Sequence, residues 1–162
     1  MKKSAYEYLF NEAVKYLGKY PATKKKISEY LLKKTMNKKT YQKAIFTDDI
    51  SKEELINGIV QKLDKLKIIN EDHFLESTFN YYEQSLFSIR KIKNKLFQKG
   101  FDQKIIEEFI AKKLSENSDL EVEILQKYIE RKKLFKLDKV DLKKKIYQQS
   151  FSENSIYKVM KE

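Results

Sequence analysis

The lysines of this chain are numerous and regularly spaced, and their positive charges could bind an anionic partner. Lys91, Lys95 and Lys99 recur every four residues, which places them on one flank of a helix. Lysine binds phosphate as a point charge, whereas the planar arginine side chain can read guanine, and Arg90 and Arg131 are the two arginines of the sequence. The pattern predicts binding to an extended polyanion without recognition of base sequence. The candidate contact residues are Lys24, Lys25, Lys26, Lys33, Lys34, Arg90, Lys91, Lys95, Lys99, Lys143, Lys144 and Lys145.

The formal net charge of +11 is concentrated in two segments. Residues 15–43 contain ten lysines and one acid, and residues 131–148 contain eight basic residues and two acids. The intervening residues 44–130 carry more acids than bases. This layout favours a polyanionic partner at the basic segments and leaves a less basic surface for another contact. The alternative is a lysine-rich solvated surface without a partner.

Residues that could support catalysis are not combined into a site. His73 is the single histidine and is expected in the first turn of a helix, where a surface or capping role is typical. Glu107 and Glu108 are adjacent, so a helix would turn them about 100° apart and keep them from sharing a proton or a metal ion. The three glycines are scattered, so no phosphate-binding glycine loop is indicated. We therefore expect a protein that is not an enzyme and uses no cofactor or metal.

Composition limits the class of protein further. The chain has 162 residues, 41% of them hydrophobic, which is enough for a packed core. It contains no cysteine, so disulfides are excluded, and a reducing compartment fits. No window approaches the roughly 20 apolar residues of a membrane span. We expect a cytoplasmic monomer with no membrane association.

The elements that would position the lysines are helices, whose starts can be read from capping residues. Nine such starts precede segments with helical apolar spacing, for example Phe10, Val14 and Leu17 on the first helix. Three of them have the S-x-x-E form of a capping box, ending at Glu7, Glu54 and Glu121. The predicted caps are Ser4, Thr23, Ser51, Asn70, Ser88, Asp102, Ser118, Asp138 and Ser152.

Internal repetition predicts how these helices are grouped. Residues 88–110 match residues 138–160 at ten positions without a gap, and related spacing occurs earlier in the chain. The sequence therefore predicts an all-α fold, an elongated array of three tandem three-helix repeats with about nine helices. The repeats are expected at 1–69, 70–117 and 118–162, with a partly helical insertion at 35–49 in the first. In each repeat the second helix carries the lysines.

The repeat also predicts which aromatic residues are buried and where one helix ends. Gly100 is expected to end its helix in the left-handed conformation that other residues resist. Most aromatic residues fall in the matched pattern and are expected to pack in the core. These are Phe79, Phe97, Phe101, Phe109, Tyr128, Tyr147 and Phe151.

Residues 63–110 resemble the bacterial RecX family. The shared features are an apolar turn before an acidic pair and a phenylalanine, and a K-I-x-x-x-L-x-x-K-G helix end. They are matched here by Ile68, Ile69, Glu71, Asp72 and Phe74, and by Lys91, Ile92, Leu96, Lys99 and Gly100. The segment 82–87 departs from the family, which often has Arg and Gly before the following helix, and so does the insertion at 35–49.

This resemblance implies a regulator of RecA, the recombinase that coats single-stranded DNA, and a role in DNA repair and recombination. Proteins of this family are elongated arrays of three-helix modules that lie in the groove of the RecA filament and restrain its ATPase and strand exchange. The implied partners are the RecA filament and the phosphates of its single-stranded DNA. Two alternatives stay open, a nonspecific DNA-binding protein and a helical scaffold for another protein.

Overall fold

The computed structural model describes residues 3–47 and 49–161 and is an all-α fold, as predicted. The described residues form ten α-helices. They are α1 (Ala5–Leu17), α2 (Lys24–Thr35), α3 (Lys38–Lys43), α4 (Lys52–Lys65), α5 (Glu71–Gln84), α6 (Ile89–Lys99), α7 (Gln103–Glu116), α8 (Leu120–Arg131), α9 (Lys139–Gln148) and α10 (Glu153–Lys161). A 3-10 turn, Leu134–Lys136, follows α8. Two very short strands, β1 (Lys3–Ser4) and β2 (Ala44–Ile45), pair in parallel.

Eight of the nine predicted helix starts are confirmed, because a polar side chain accepts a hydrogen bond from the first helical turn at each. Ser51 forms a complete capping box: its Oγ accepts from Glu54 N at 3.1 Å, and Glu54 Oε2 accepts from Ser51 N at 3.3 Å. Such reciprocal bonds satisfy amides that no helical carbonyl reaches. The other confirmed caps are Ser4, Thr23, Asn70, Ser88, Asp102, Asp138 and Ser152.

The predicted capping box at Ser118 is wrong. Helix α8 begins at Leu120 after Asp119, and the Asp119 side chain makes no capping hydrogen bond. Glu121, the expected partner of Ser118, is buried and accepts hydrogen bonds from α6 and α10 instead. The sequence has the S-x-x-E spacing, but hydrogen-bond donors from other helices bind the Glu121 carboxylate in place of the local cap.

One compact unit runs from the N-terminus to Phe74 and contains α1 to α4. Helices α1, α2 and α4 enclose a core of fully buried side chains, namely Leu9, Ala13, Ile27, Leu31, Ile59 and Leu63. Of the predicted apolar positions of α1, Phe10 and Leu17 pack against this core, whereas Val14 is exposed beside the buried Leu9 and Ala13. The reason is that Leu9 and Ala13, four residues apart, share one face with Ala5.

The insertion at 35–49 is partly helical, as predicted. Asn37 Oδ1 accepts from Lys39 N at 2.9 Å and starts α3, which leads directly into β2. Thr40 on α3 is buried, so the insertion is packed into this unit at that point. Asp48 lies outside the described residues.

The second compact unit runs from Leu75 and holds most of α5 and all of α6 to α10. Its fully buried large side chains include Phe79, Ile92, Leu96, Ile110, Leu125 and Ile146. Helix α6 ends at Gly100 with φ of 99°, so the left-handed terminator is confirmed. After α9 the matched residue, Ser150, has φ of 64°, so the backbone geometry repeats even where glycine is absent. The division into three repeats at 1–69, 70–117 and 118–162 stays a prediction.

Candidate nucleic-acid interface

The predicted basic residues lie on or at the start of α2, α6 and α9, the second helices of the expected repeats. On α2, three of the five lysines face carboxylates: Lys24 Nζ lies 2.8 Å from Asp64, Lys26 Nζ 3.3 Å from Glu29, and Lys34 Nζ 2.8 Å from Glu12. Lys25 and Lys33 are exposed, with no ion pair to the described residues. The structure therefore separates the α2 lysines into a paired set and an exposed set.

The Lys34–Glu12 pair is the most enclosed of these, and each charge favours the other. The hydrogen bond from Lys34 lowers the pKa of the Glu12 carboxyl, and the same bond raises the pKa of the Lys34 ammonium. A lysine held this way joins α1 to α2. The charge of Lys34 is already paired within the protein, so we assign this lysine a structural role and not a binding role.

On α6, Lys91 differs from the other two members of its stripe. Its Nζ donates to Gln149 Oε1 and lies 5.9 Å from the centroid of the Phe87 ring, so the side chain is anchored. Lys95 and Lys99 are exposed, and neither forms an ion pair within the described part of the chain. These two keep their charges available to a partner.

On α9, the three lysines are all exposed. Lys143 Nζ lies 5.9 Å from the centroid of the Tyr147 ring, one turn further along the helix. Lys144 and Lys145 form no ion pair with any described residue. Helix α9 therefore presents positive charge to solvent over most of its length.

Two aromatic residues predicted to be buried are exposed. Phe97 is 58% exposed and Tyr147 is 45% exposed. Each directly follows a fully buried residue, Leu96 or Ile146, and one step along a helix turns the side chain by about 100°. The corresponding α2 position, Leu32, is also exposed, at 38%. The matched spacing identified these positions as equivalent but assigned them to the wrong face.

A cavity of about 630 Å³ lies beside the starts of α6 and α10 and the end of α9. Its lining includes Arg90 and Lys93 from α6, Tyr147 from α9 and the polar segment 150–155. Arg90 is one of the predicted contact residues and Lys93 widens the same basic stripe on α6, whereas Tyr147 was predicted to be buried. The signal in the sequence for Tyr147 is its position four residues after Lys143, which puts its ring on the same exposed flank of α9 as that lysine.

Glu121 on α8 is one of the two acidic residues that line this cavity. Its side chain is buried, and Oε1 accepts from Ile89 N at 3.0 Å, at the start of α6. Oε2 accepts from Ser152 N at 3.3 Å, from Ser152 Oγ at 2.5 Å and from Ser155 Oγ at 2.8 Å, at the start of α10. One carboxylate thus joins α8 to two other helices, and its negative charge is shared among four donors.

Within residues 3–47 and 49–161, no group of three or more His, Cys, Asp or Glu side chains is placed to hold a metal ion. None of the helices in these ranges combines the length and the apolar character needed to cross a bilayer.

The fold and the exposed cations define a basic, all-helical protein. The crystal structure of RecX from Lactobacillus salivarius has this fold: it superposes with a TM-score of 0.72 at 21% identity, over 97% of this chain and 95% of that one. The regulatory protein RecX of Caldanaerobacter subterraneus subsp. tengcongensis is 28% identical over 108 residues. No protein-family model matches the chain.

The match to the Caldanaerobacter protein covers 67% of this chain and 54% of the relative, so the chain aligns with about half of that protein's length. The sequence relative and the fold neighbour are both named RecX. The chain is thus similar in sequence to one RecX protein and in fold to another, and the RecX family is the one that residues 63–110 resemble.

Proposed function

We propose that this protein binds the filament formed by RecA on single-stranded DNA and inhibits its ATPase and strand exchange. The observation that supports this most directly is the set of exposed basic side chains on α2, α6 and α9, in a chain related by sequence and fold to RecX proteins. Phosphates of a nucleoprotein filament would attract such charges over a Debye length of roughly 8–10 Å at ordinary ionic strength.

We propose two roles for the candidate residues, according to whether their side chains are already paired within the protein. Side chains already paired inside the protein are assigned to stability: Lys24, Lys26, Lys34 and Lys91. The exposed residues without an ion pair to the described chain are assigned to the filament. They are Lys25, Lys33, Arg90, Lys95, Lys99, Lys143, Lys144 and Lys145.

The test is ATP hydrolysis by RecA on single-stranded DNA, measured with increasing amounts of this protein. We expect hydrolysis to slow, and the double charge reversal Lys95→Glu with Lys99→Glu to weaken the inhibition while the helical circular dichroism is unchanged. A matched control is Lys112→Glu with Lys127→Glu, which reverses two exposed lysines that, like Lys95 and Lys99, form no ion pair with a described residue. Unchanged hydrolysis at every ratio tested would refute the proposed function. Equal effects of the two double variants would refute the assigned contact face alone.

A nonspecific DNA-binding protein is the second candidate, because the same exposed cations would hold naked DNA. Each phosphate neutralised on a single strand contributes roughly −0.7 to the slope of log affinity against log salt. Equal binding to naked strand and to RecA-coated strand would favour this alternative. A marked preference for the coated strand would favour the regulator.

A further inference from the structure

The cavity beside Tyr147 combines positive charge with an exposed aromatic ring. Arg90 and Lys93 come from the first turns of α6, and neither forms an ion pair with a described residue. Tyr147 comes from the last turn of α9, with 45% of its surface exposed. Lys143 Nζ, 5.9 Å from the centre of this ring, adds a third cation beside it. All of these groups belong to the second compact unit.

The two acids of the cavity already have partners within it. Glu121 accepts four hydrogen bonds, and Glu153 Oε1 accepts one from the Tyr147 hydroxyl at 3.2 Å. The hydrogen bond to Glu153 fixes the hydroxyl end of Tyr147 and leaves its ring as the exposed part. A ligand entering here would therefore meet cations and an aromatic face.

We propose that this cavity holds one nucleotide of single-stranded DNA, with its base against the Tyr147 ring and its phosphates at Arg90 and Lys93. Bases stack on aromatic side chains without regard to sequence, and Arg and Lys hold the adjoining backbone. The volume of about 630 Å³ falls within the roughly 300–1,000 Å³ of small-molecule sites. In a duplex the bases are stacked on one another, so the site selects single strands. This nucleotide site rests on the proposed function, because the RecA filament supplies the single-stranded DNA that would occupy the cavity.

The experiment measures binding of the full chain to fluorescein-labelled oligothymidylate and to an abasic strand with the same number of phosphates. We expect tighter binding to oligothymidylate. The variant Tyr147→Leu, which keeps apolar bulk and removes the ring, should weaken that binding roughly tenfold, or about 1.4 kcal/mol, and leave binding of the abasic strand unaffected, since only the stacking of one base is lost. Tyr147→Phe, which loses the bond to Glu153 and keeps the ring, should bind like the unaltered protein.

Tyr157→Leu is the matched control, because Tyr157 is 63% exposed and has Lys161 Nζ 5.7 Å from its ring centroid, yet it does not line the cavity. It should not alter binding. Replacing Arg90 and Lys93 together by Ala should reduce the magnitude of the salt slope by about 1.4, twice the single-strand value per phosphate. The pair Lys112→Ala with Lys127→Ala serves as the control for lost charge.

Equal affinity for oligothymidylate and the abasic strand, or equal effects of Tyr147→Leu and Tyr157→Leu, would overturn the inference. Competition by polyglutamate as strong as that by oligothymidylate would assign the cavity to an acidic peptide and also overturn it. These results are separable from the proposed function. Inhibition of RecA by Tyr147→Leu protein at full strength, with no stacking signal, would remove the nucleotide site alone. Stacking without any effect on RecA would remove the regulatory function alone.

Discussion

Replacing Glu121 by alanine should destabilise the second unit by roughly 3 kcal/mol. The substitution removes the acceptor of four hydrogen bonds, two of whose donors, Ile89 N and Ser155 Oγ, belong to buried residues. A buried donor left without a partner costs about 1–3 kcal/mol, so these two alone set a range of about 2–6 kcal/mol. Because Glu121 lines an open cavity, water can replace part of the lost bonding, which places the estimate in the lower half of that range.

Urea unfolding followed by circular dichroism provides the assay. With a slope of about 1–3 kcal/mol per molar of urea, typical of small proteins, a loss of about 3 kcal/mol lowers the midpoint by about 1–3 M. Glu121→Gln should cost less than the alanine variant, because the amide oxygen can still accept from Ile89 N while the serine hydroxyls rotate to accept from the amide nitrogen.

The matched control is Glu123→Ala on the same helix. Glu123 is exposed and accepts one hydrogen bond, from Asn117 Nδ2 at 3.2 Å, so the expected change is within about 0.5 kcal/mol. A Glu121→Ala protein as stable as the Glu123→Ala protein would show that the four hydrogen bonds contribute nothing beyond the desolvation cost of the carboxylate, and the reasoning would fail.

Three further predictions concern stability. Ser150→Gly should stabilise the protein by about 1 kcal/mol, since a side chain resists the left-handed φ of 64° there, and a lowered melting temperature would contradict this. The pKa of Glu12 is lowered by Lys34, so their pair stabilises the fold above the ordinary pKa of 4.5, and this contribution is lost as pH falls through the lower folded pKa. In Glu12→Gln the free energy of unfolding should fall less at acid pH than in the unaltered protein. Identical profiles of unfolding free energy against pH would show that the pair does not stabilise the fold. Phe151→Ala should cost roughly 3–5 kcal/mol because the ring is buried, which denaturant unfolding would measure, and a loss below 1 kcal/mol would not fit a packed ring.

Local patterns in the sequence predicted what depends on neighbouring residues. The cap at Ser51, the terminator at Gly100 and the partly helical insertion each follow from a few adjacent side chains and their preferred hydrogen bonds. The buried aromatic residues Phe101 and Phe151 followed from the repeat, because equivalent positions of a repeat have equivalent neighbours.

Features that depend on distant residues could not be predicted in this way. Glu121 has the spacing of a local capping residue, yet its hydrogen-bond donors lie about thirty residues away in either direction, on α6 and α10. Phe97 and Tyr147 lie at the edge of the apolar stripe, where the choice between core and solvent depends on which helix packs alongside. The pairing of Lys34 with Glu12 likewise joins residues of different helices, so the lysine run alone did not distinguish paired from available charges.

The contact of Glu121 with Ile89 has a consequence for cutting or recombining the chain. A break between residues 117 and 118 would leave the start of α6 on one fragment and its acceptor on the other, so residues 70–117 produced alone should fray at Ile89. Chimaeras that exchange segments between relatives would need to transfer Glu121 together with Ser152 and Ser155. The carboxylate and the two hydroxyl groups form these hydrogen bonds only when all three residues are present.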